Sequence, residues 1–248
     1  MFSVVFGNTK EEEVIHVRWN NQLADAPVWQ GEISNRSGKE KIAQEVSRLV
    51  REGDVIGVGS GSTAYLALEQ IADRVKEEGL TITGIPTSKE AEMNCAYFGI
   101  PTASLIQARP DWGFDGADEA DDRKRLIKGR GGALLAEKLV MASSPKTYIL
   151  VDDSKFVTEL GAKQPVPVEV DPRAIHLVET KLEQFPIRSV TLRMAAGKDG
   201  PVFTEAGNVL LDVEFITIED DLEKALGAIP GVMETGLFIG YSVEFLTI

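Results

Sequence analysis

Residues 126–144 read LIKGRGGALLAEKLVMASS, which places an apolar strand end, a glycine-rich turn and an apolar helix in direct succession. Lys128 closes the strand, and the glycines at 129, 131 and 132 let backbone amides approach a ligand closely. Glu137 falls one turn inside the helix. This arrangement predicts an anion site at a helix N-terminus with a base beside it. The alternative is an ordinary loop followed by an exposed pair of charges, Glu137 and Lys138.

Strands and helices alternate along the chain on either side of this stretch. Strand patterns cover residues 54–58, 80–85, 112–115 and 147–151, with a shorter one at 102–105. A capping box of Ser37 and Glu40 predicts a helix that ends at Gly53, and further helices are predicted over 62–78 and 89–98. This spacing requires right-handed crossovers between parallel strands. We therefore predict an α/β fold, a Rossmann-like, mostly parallel sheet with helices on both faces.

The pattern changes after residue 161. Strands are predicted over 166–170, 189–194 and 209–218, and helices over 174–184 and 220–229. This order indicates a small α+β domain of ferredoxin-like kind. The predicted domains are therefore a Rossmann-like catalytic domain over 34–161 and 237–248, whose last strand rejoins the first sheet, and a small domain over 162–236. Residues 1–33 form an N-terminal extension to which the sequence assigns no role.

The overall composition limits the classes of partner. The chain has 248 residues and a net charge of −13, which argues against a nucleic-acid partner. No apolar run has the length needed to cross a bilayer, and the N-terminus carries no export signal. Cys95 is the single cysteine, which excludes an intramolecular disulfide. We expect a cytoplasmic protein that binds neither membranes nor nucleic acid.

The rarity of histidine restricts the chemistry. His16 and His176 are the two histidines, and neither lies near a motif. A Ser-His catalytic pair and a His-rich metal site are therefore disfavoured. Acid-base chemistry at neutral pH would depend on carboxylates and lysines.

A second glycine-rich turn, GSGSTA at residues 59–64, follows the first predicted strand. It fits a relaxed dinucleotide-binding fingerprint, but the next strand ends without the acidic residue that would hold a ribose. No Gly-Lys-Ser/Thr follows, so it is not a Walker loop. The remaining interpretation is a phosphate cradle of amides and hydroxyls at a helix N-terminus. A plain tight turn with Ser/Thr capping is the alternative.

Two carboxylates, Asp115 and Asp118, lie three residues apart at a strand end. They could accept hydrogen bonds from sugar hydroxyls or raise one another's pKa. An Asx turn or a magnesium site would use the same residues, although Lys128 and Lys155 are expected nearby and would disfavour a metal. The loops at 60–63, 115–118, 128–131 and 155 all follow strands, so we expect them to converge on one crevice.

These motifs together resemble ribose-5-phosphate isomerase, type A. The resemblance rests on GVGSGSTA (57–64), GIPTS (84–88), DGADEAD (115–121), LIKGRGGALLAEK (126–138) and VDDSK (151–155), and it continues through PVEV, TEAGN and IPGVMETGLF to residue 238. It implies interconversion of D-ribose 5-phosphate and D-ribulose 5-phosphate with no metal or organic cofactor. It also implies a homodimer or homotetramer.

The resemblance assigns roles to individual residues. Glu137 matches the proton-transferring base, and Lys128, Asp115 and Asp118 complete the predicted catalytic set. The predicted substrate-binding residues are Lys39, Ser60, Gly61, Ser62, Thr63, Asp115, Gly116, Ala117, Asp118, Lys128, Gly129, Arg130, Gly131 and Lys155. Two positions depart from the commonest family pattern, because Ala136 replaces a frequent arginine and Glu205 replaces a usual aspartate.

Three other functions are compatible with part of these motifs. A sugar-phosphate-sensing domain of the same fold would need an N-terminal basic helix pair, which residues 1–33 do not suggest, and would have no use for Glu137. A relative of the acyl-CoA transferases would use a glutamate nucleophile and leave the two aspartates unexplained. An isomerase acting on another short sugar phosphate is the closest alternative.

Overall fold

The computed structural model describes Trp29 and residues 31–247. Residues 1–28, most of the predicted N-terminal extension, lie outside the described part, so its predicted role is not addressed. Within residues 31–247 we find no helix with the length and apolar character that crossing a bilayer demands.

A five-stranded parallel sheet forms the centre of the larger part. Its strand order is β12-β6-β3-β1-β2, and every neighbouring pair runs parallel. The strands are β1 (Val55–Val58), β2 (Thr83–Pro86), β3 (Trp112–Asp115), β6 (Thr147–Leu150) and β12 (Val243–Leu246). β12 pairs with β6, which confirms that the end of the chain rejoins the first sheet.

Four helices flank this sheet: α1 (Arg36–Ser47), α2 (Ser62–Glu78), α3 (Lys89–Phe98) and α4 (Leu134–Ser143). Helices α1 and α2 bury Ile42, Leu66 and Ile71 against Ile56 of the sheet. Helix α4 packs closely on the central strands, because a Cβ added at Gly57 would lie 2.6 Å from a Val140 methyl group. The predicted α/β class is confirmed.

A four-stranded antiparallel sheet lies in the second part of the chain. It contains β7 (Val166–Val170), β8 (Ile187–Leu192), β9 (Val209–Phe215) and β10 (Val232–Thr235) in the order β10-β7-β9-β8. Helices α5 (Ile175–Leu182) and α6 (Leu222–Gly227) complete a β-α-β-β-α-β succession, the ferredoxin-like arrangement. Strand β10 was not predicted. The domain boundaries at 162 and 236 stay predictions.

A third sheet is short, antiparallel and three-stranded. Its strands are β4 (Glu119–Ala120), β5 (Leu126–Ile127) and β11 (Leu237–Phe238), in the order β11-β5-β4. Because Lys128 directly follows β5, this small sheet sets the position of the lysine.

Two predictions about the first helix are wrong. Helix α1 begins at Arg36, and Asn35 precedes it in a left-handed conformation without a side-chain cap. Glu40 pairs with Arg36 instead of closing a capping box with Ser37. The helix also ends at Ser47, six residues before Gly53, because residues 48–53 turn back toward β1 through short-range hydrogen bonds.

The predicted strand at 102–105 is also wrong. Thr102 makes a single parallel bridge to Gly84, and the chain then turns. The turn forms because Gln107 accepts hydrogen bonds from both the amide and the hydroxyl of Ser104, at 2.9 Å each.

Candidate active site

The loops after β1, β3 and β5 meet at the start of α4, and we call this meeting point the crevice. The amide of Ser60, after β1, donates to Asp115 Oδ1 at 3.2 Å, and Lys128, after β5, lies beside Asp115 Oδ2 at 3.0 Å. The close approach of the first two loops requires glycine at position 59, because a Cβ there would lie 2.5 Å from Asp115 Oδ1. Three predicted loops are thus brought together by direct contacts.

A buried cluster of one lysine and two carboxylates occupies the centre of the crevice. The Lys128 ammonium lies 3.0 Å from Asp115 Oδ2 and 3.2 Å from Glu137 Oε1. It also donates to the Gly116 carbonyl at 2.7 Å. The three charged residues are 2%, 3% and 7% exposed for Lys128, Asp115 and Glu137, so water hardly screens their charges.

Burial and neighbouring charges shift the pKa values of this cluster. Burial alone would lower the pKa of Lys128, but the carboxylates of Asp115 and Glu137 more than compensate and raise it above its usual value. Burial raises the pKa of Glu137 to about 7; Lys128 opposes the rise and Asp115 adds to it. Lys128 therefore stays charged, whereas Glu137 can exchange a proton near neutral pH.

Only one oxygen of Glu137 is engaged. Oε1 faces Lys128, whereas Oε2 is buried and has no hydrogen-bond partner among the described residues. The backbone of Glu137 is fixed in the first turn of α4, where its amide donates to the Ala133 carbonyl at 2.9 Å. A free carboxylate oxygen on a rigid element is well placed to accept a proton from a ligand.

The turn after β1 resembles a small cradle of hydroxyl groups. Gly61 has a φ of 86°, and helix α2 begins at the next residue, Ser62. The hydroxyl of Ser60 lies 2.8 Å from the Thr87 hydroxyl and 2.6 Å from that of Ser88. The buried Lys39 ammonium donates to Ser62 Oγ at 3.1 Å, so this cradle holds a cation. Thr63 lies half-buried in the first turn of the helix.

The glycine-rich turn after β5 contacts the second aspartate. The Arg130 amide donates to Asp118 Oδ2 at 3.0 Å, and the Asp118 amide donates to the Ile127 carbonyl at 2.8 Å. Gly129 has a φ of 96°, a conformation that disfavours any side chain. The loop between the two aspartates, Gly116 and Ala117, is half-buried beside it.

The comparisons with known proteins agree with this geometry. The family model of ribose 5-phosphate isomerase A (phosphoriboisomerase A) matches residues 83–247. The chain belongs to the ribose 5-phosphate isomerase A family. This result confirms the resemblance to ribose-5-phosphate isomerase, type A, and the prediction that the chain is an isomerase.

Individual members of the ribose 5-phosphate isomerase A family resemble nearly the whole chain. The enzyme of Methanocaldococcus jannaschii is 44% identical over 209 residues, which cover 83% of this chain and 92% of that protein. Its solved structure superimposes with a TM-score of 0.82 and covers 86% of this chain and 96% of that one. A D-ribose-5-phosphate isomerase solved in complex with phospho-erythronic acid is 38% identical, with a TM-score of 0.83, and covers 87% and 96% of the two chains.

One predicted site residue of this family member stands apart. Lys155 ends a short 3-10 turn, Asp153–Lys155, after β6, and among the described residues its half-buried side chain makes no hydrogen bond or ion pair. It is electrostatically coupled to Lys39, whose pKa is lowered by burial, raised by Asp152 and lowered by Lys155. The charge of Lys155 therefore acts on the Lys39 ammonium.

The position that a cation would take between the two buried carboxylates is occupied by a side chain of the protein. The Lys128 ammonium bridges Asp115 and Glu137 there. Among residues 31–247 no cluster of His, Cys, Asp or Glu side chains is arranged to hold a metal ion.

Sequence reasoning did not assign three groups that contact the site of this isomerase-family protein. Thr87 and Ser88 bond to the Ser60 hydroxyl, and their motif GIPTS was used only for the resemblance. Arg193, at the edge of the four-stranded antiparallel sheet, donates hydrogen bonds to two carbonyls of the glycine-rich turn after β5. No local sequence signal marks Arg193, because its contact depends on how two distant segments pack.

Proposed function

We propose that this protein interconverts D-ribose 5-phosphate and D-ribulose 5-phosphate through a cis-enediolate, with Glu137 as the base. Family membership supports the reaction class. The observation that carries the assignment of the base is the buried Glu137 carboxylate, which keeps one oxygen without a partner and has a pKa of about 7. A base of that pKa can both take and return a proton near neutrality.

The proposed proton transfer needs one base that reaches two neighbouring carbons. Glu137 takes the proton from C2 of the open-chain aldose, the C2–H electron pair becomes the C1–C2 double bond, and the carbonyl pair of C1 moves to O1. The O2 proton then passes to O1, a carbonyl forms at C2, and Glu137 returns its proton to C1. Atoms and charge balance without an external reagent.

The negative oxygen of the enediolate needs a fixed positive partner. The Lys128 ammonium is buried beside Glu137 and stays charged, so it would supply this positive charge. Asp115 and Asp118 would orient sugar hydroxyls and assist the proton transfer between O1 and O2. The hydroxyl cradle with Lys39 would hold the phosphate group.

An assay of the purified full chain on ribose 5-phosphate, with a chelator present, tests this proposal. We expect ketose to form, and in heavy water we expect part of the product to carry deuterium on carbon. Binding of the sugar phosphate without any ketose formation would favour a sensor domain instead, and turnover of only another short sugar phosphate would change the proposed substrate.

A variant pair tests the role of Glu137. Glu137→Gln should lower kcat by about 10²- to 10⁴-fold, because general acid-base catalysis has this magnitude. It should still bind phospho-erythronic acid. Glu77→Gln, at an exposed position on α2, is the matched control and should behave as wild type. Full turnover in Glu137→Gln would exclude Glu137 as the base.

The pathway, the cytoplasmic location and the homodimeric or homotetrameric state stay predictions from the resemblance. The absence of a metal or organic cofactor also stays a prediction, and activity in the presence of chelator tests its metal part.

A further inference from the structure

An arginine at the edge of the four-stranded antiparallel sheet reaches the glycine-rich turn that follows Lys128. Arg193 directly follows β8, and its Nη1 donates to the Gly129 carbonyl at 3.0 Å and to the Arg130 carbonyl at 2.8 Å. One guanidinium nitrogen therefore holds two consecutive peptide groups of the turn. Arg193 lies outside the group of residues that we propose to act on the substrate.

The guanidinium is itself anchored from behind. Arg193 Nε donates to Asp212 Oδ2 at 2.8 Å, and Nη2 donates to Asp212 Oδ1. The Arg193 backbone is fixed as well, because its amide donates to Leu210 O at 2.9 Å and its carbonyl accepts from Val202 N at 2.9 Å. Such a bidentate pair has a fixed geometry. Arg193 thus projects from the end of β8 as a rigid donor that is held against β9.

Peptide geometry turns this contact into an orientation of the backbone amides. In a trans peptide, the carbonyl of one residue and the amide of the next point in opposite directions. Because Arg193 binds the carbonyls of Gly129 and Arg130, the amides of Arg130 and Gly131 point away from it. The Arg130 amide does donate to Asp118 Oδ2, at 3.0 Å, on the side of the crevice.

The next amide is free to bind a ligand. No hydrogen bond among the described residues is donated by the Gly131 amide, whereas the Gly132 amide closes the turn onto the Gly129 carbonyl at 3.0 Å. Glycine allows peptide groups to rotate at little steric cost. Residues 129–132 include three glycines, so an external contact is needed to hold the Arg130 and Gly131 amides in one direction.

We propose that Arg193 is a positioning residue for the isomerase reaction, which fixes the Arg130 and Gly131 amides toward the substrate. The inference rests on the function proposed above. Arg193 does not touch the reacting carbons; it holds the donors that orient Asp118 and the sugar oxygens. Through this contact, the geometry of the crevice depends on how the four-stranded antiparallel sheet packs against the glycine-rich turn.

Lysine cannot reproduce this role. A guanidinium offers a planar fork that can bind a carboxylate on one side and carbonyls on the other, whereas an ammonium is a compact point charge. Arg193→Lys should therefore keep the charge and lose the orientation of the turn. Asp212→Asn should loosen the same fork without removing any cation.

The experiment compares Arg193→Met, Arg193→Ala, Arg193→Lys and Asp212→Asn with Arg188→Met, which changes an exposed arginine on β8 and serves as the control. We expect kcat/KM for ribose 5-phosphate to fall by about 10- to 100-fold in Arg193→Met, as for loss of hydrogen bonds from a charged donor. We expect free guanidinium ion to restore part of the kcat of Arg193→Ala, which a role in folding alone would not produce.

The outcomes separate this inference from the proposed function. If the wild-type chain forms no ketose, the proposed function fails first. If the wild type is active and folded Arg193→Met keeps its kcat and KM, Arg193 is not a positioning residue. If Arg193→Met does not fold, Asp212→Asn decides, and unchanged kcat/KM in that variant overturns the inference.

Discussion

The Lys128 ammonium lies 3.2 Å from Glu137 Oε1, and it does not reach Glu137 Oε2, which is buried without a partner among the described residues. The lysine therefore stabilises the ionised carboxylate only in part. Burial dominates and raises the pKa of Glu137 to about 7. This asymmetric pairing gives one carboxylate a bound oxygen that fixes its orientation and a free oxygen that can accept a proton.

The first prediction concerns the dependence of activity on pH. Glu137 acts as a base only when ionised, so kcat/KM should fall as the pH decreases below about 7. Asp115 and Asp118 both raise the pKa of Glu137, and Asp115 does so more strongly. Asp115→Asn should therefore move the acidic limb to lower pH, and Asp118→Asn should move it less. A limb that stays fixed in both variants would contradict the assignment.

The second prediction concerns stability and does not depend on catalysis. The folded-state pKa of Glu137 is raised from 4.5 to about 7, so the folded protein binds one more proton than the unfolded chain between these values. The stability that protonated Glu137 contributes is present below pH 4.5 and is lost as the pH rises through 7. Relative to Glu137→Gln, the free energy of unfolding of the wild type should decrease by on the order of 3 kcal/mol between pH 4.5 and 7.

Denaturant unfolding of the wild type and Glu137→Gln at several pH values measures this difference. Comparing the two proteins cancels the titration of the other carboxylates. A difference in the free energy of unfolding that does not change between pH 4.5 and 7 would show that the pKa of Glu137 is not raised by folding.

The third prediction concerns the contact between the first two loops. A Cβ at position 59 would lie 2.5 Å from Asp115 Oδ1, so Gly59→Ala must displace Asp115 or the Ser60 turn. We expect a loss of about 1–3 kcal/mol in the free energy of unfolding, together with a clear fall in kcat/KM. Gly197→Ala is the matched control, because a Cβ there meets no atom within 4 Å. Equal behaviour of the two variants would contradict the proposed role of the contact.

Much of the fold could be predicted because local signals agree with the tertiary structure. Ser88 caps α3 by accepting a hydrogen bond from the Ala91 amide, and Gly79 and Gly99 end α2 and α3 in left-handed conformations. At the start of the first helix the prediction failed because another local contact, an ion pair within the helix, replaced the expected capping box. Glu40 had a capping partner in Ser37 by sequence, yet it pairs with Arg36 one helical turn earlier.

The candidate site could be predicted in part for a similar reason. Asp115 ends a strand of the parallel sheet, and the carboxyl ends of such strands meet at one edge of the sheet. Lys128 follows the short antiparallel strand β5, and Glu137 lies in the first turn of α4, which the glycine-rich turn joins to that strand. Asp212 lies in the four-stranded antiparallel sheet, and Arg193 directly follows one of its strands. The contact of Arg193 with the glycine-rich turn depends on how the two parts of the chain pack together. Periodicity and motif spacing carry no information about such docking.

The last prediction concerns recognition of the phosphate group. The Lys39 ammonium is buried beside Ser62 in the hydroxyl cradle, and burial lowers its pKa. A bound phosphate would restore a counter-charge to this ammonium, so Lys39→Met should weaken kcat/KM for ribose 5-phosphate by about 10- to 100-fold, as expected for a lost charged hydrogen bond. Activity on unphosphorylated D-ribose should change little, because that sugar has no phosphate for Lys39 to bind.

The matched control is Lys41→Met, which changes an exposed lysine on the same helix. If Lys39→Met lowered kcat/KM equally for both substrates, Lys39 would support the fold of the cradle without binding the phosphate.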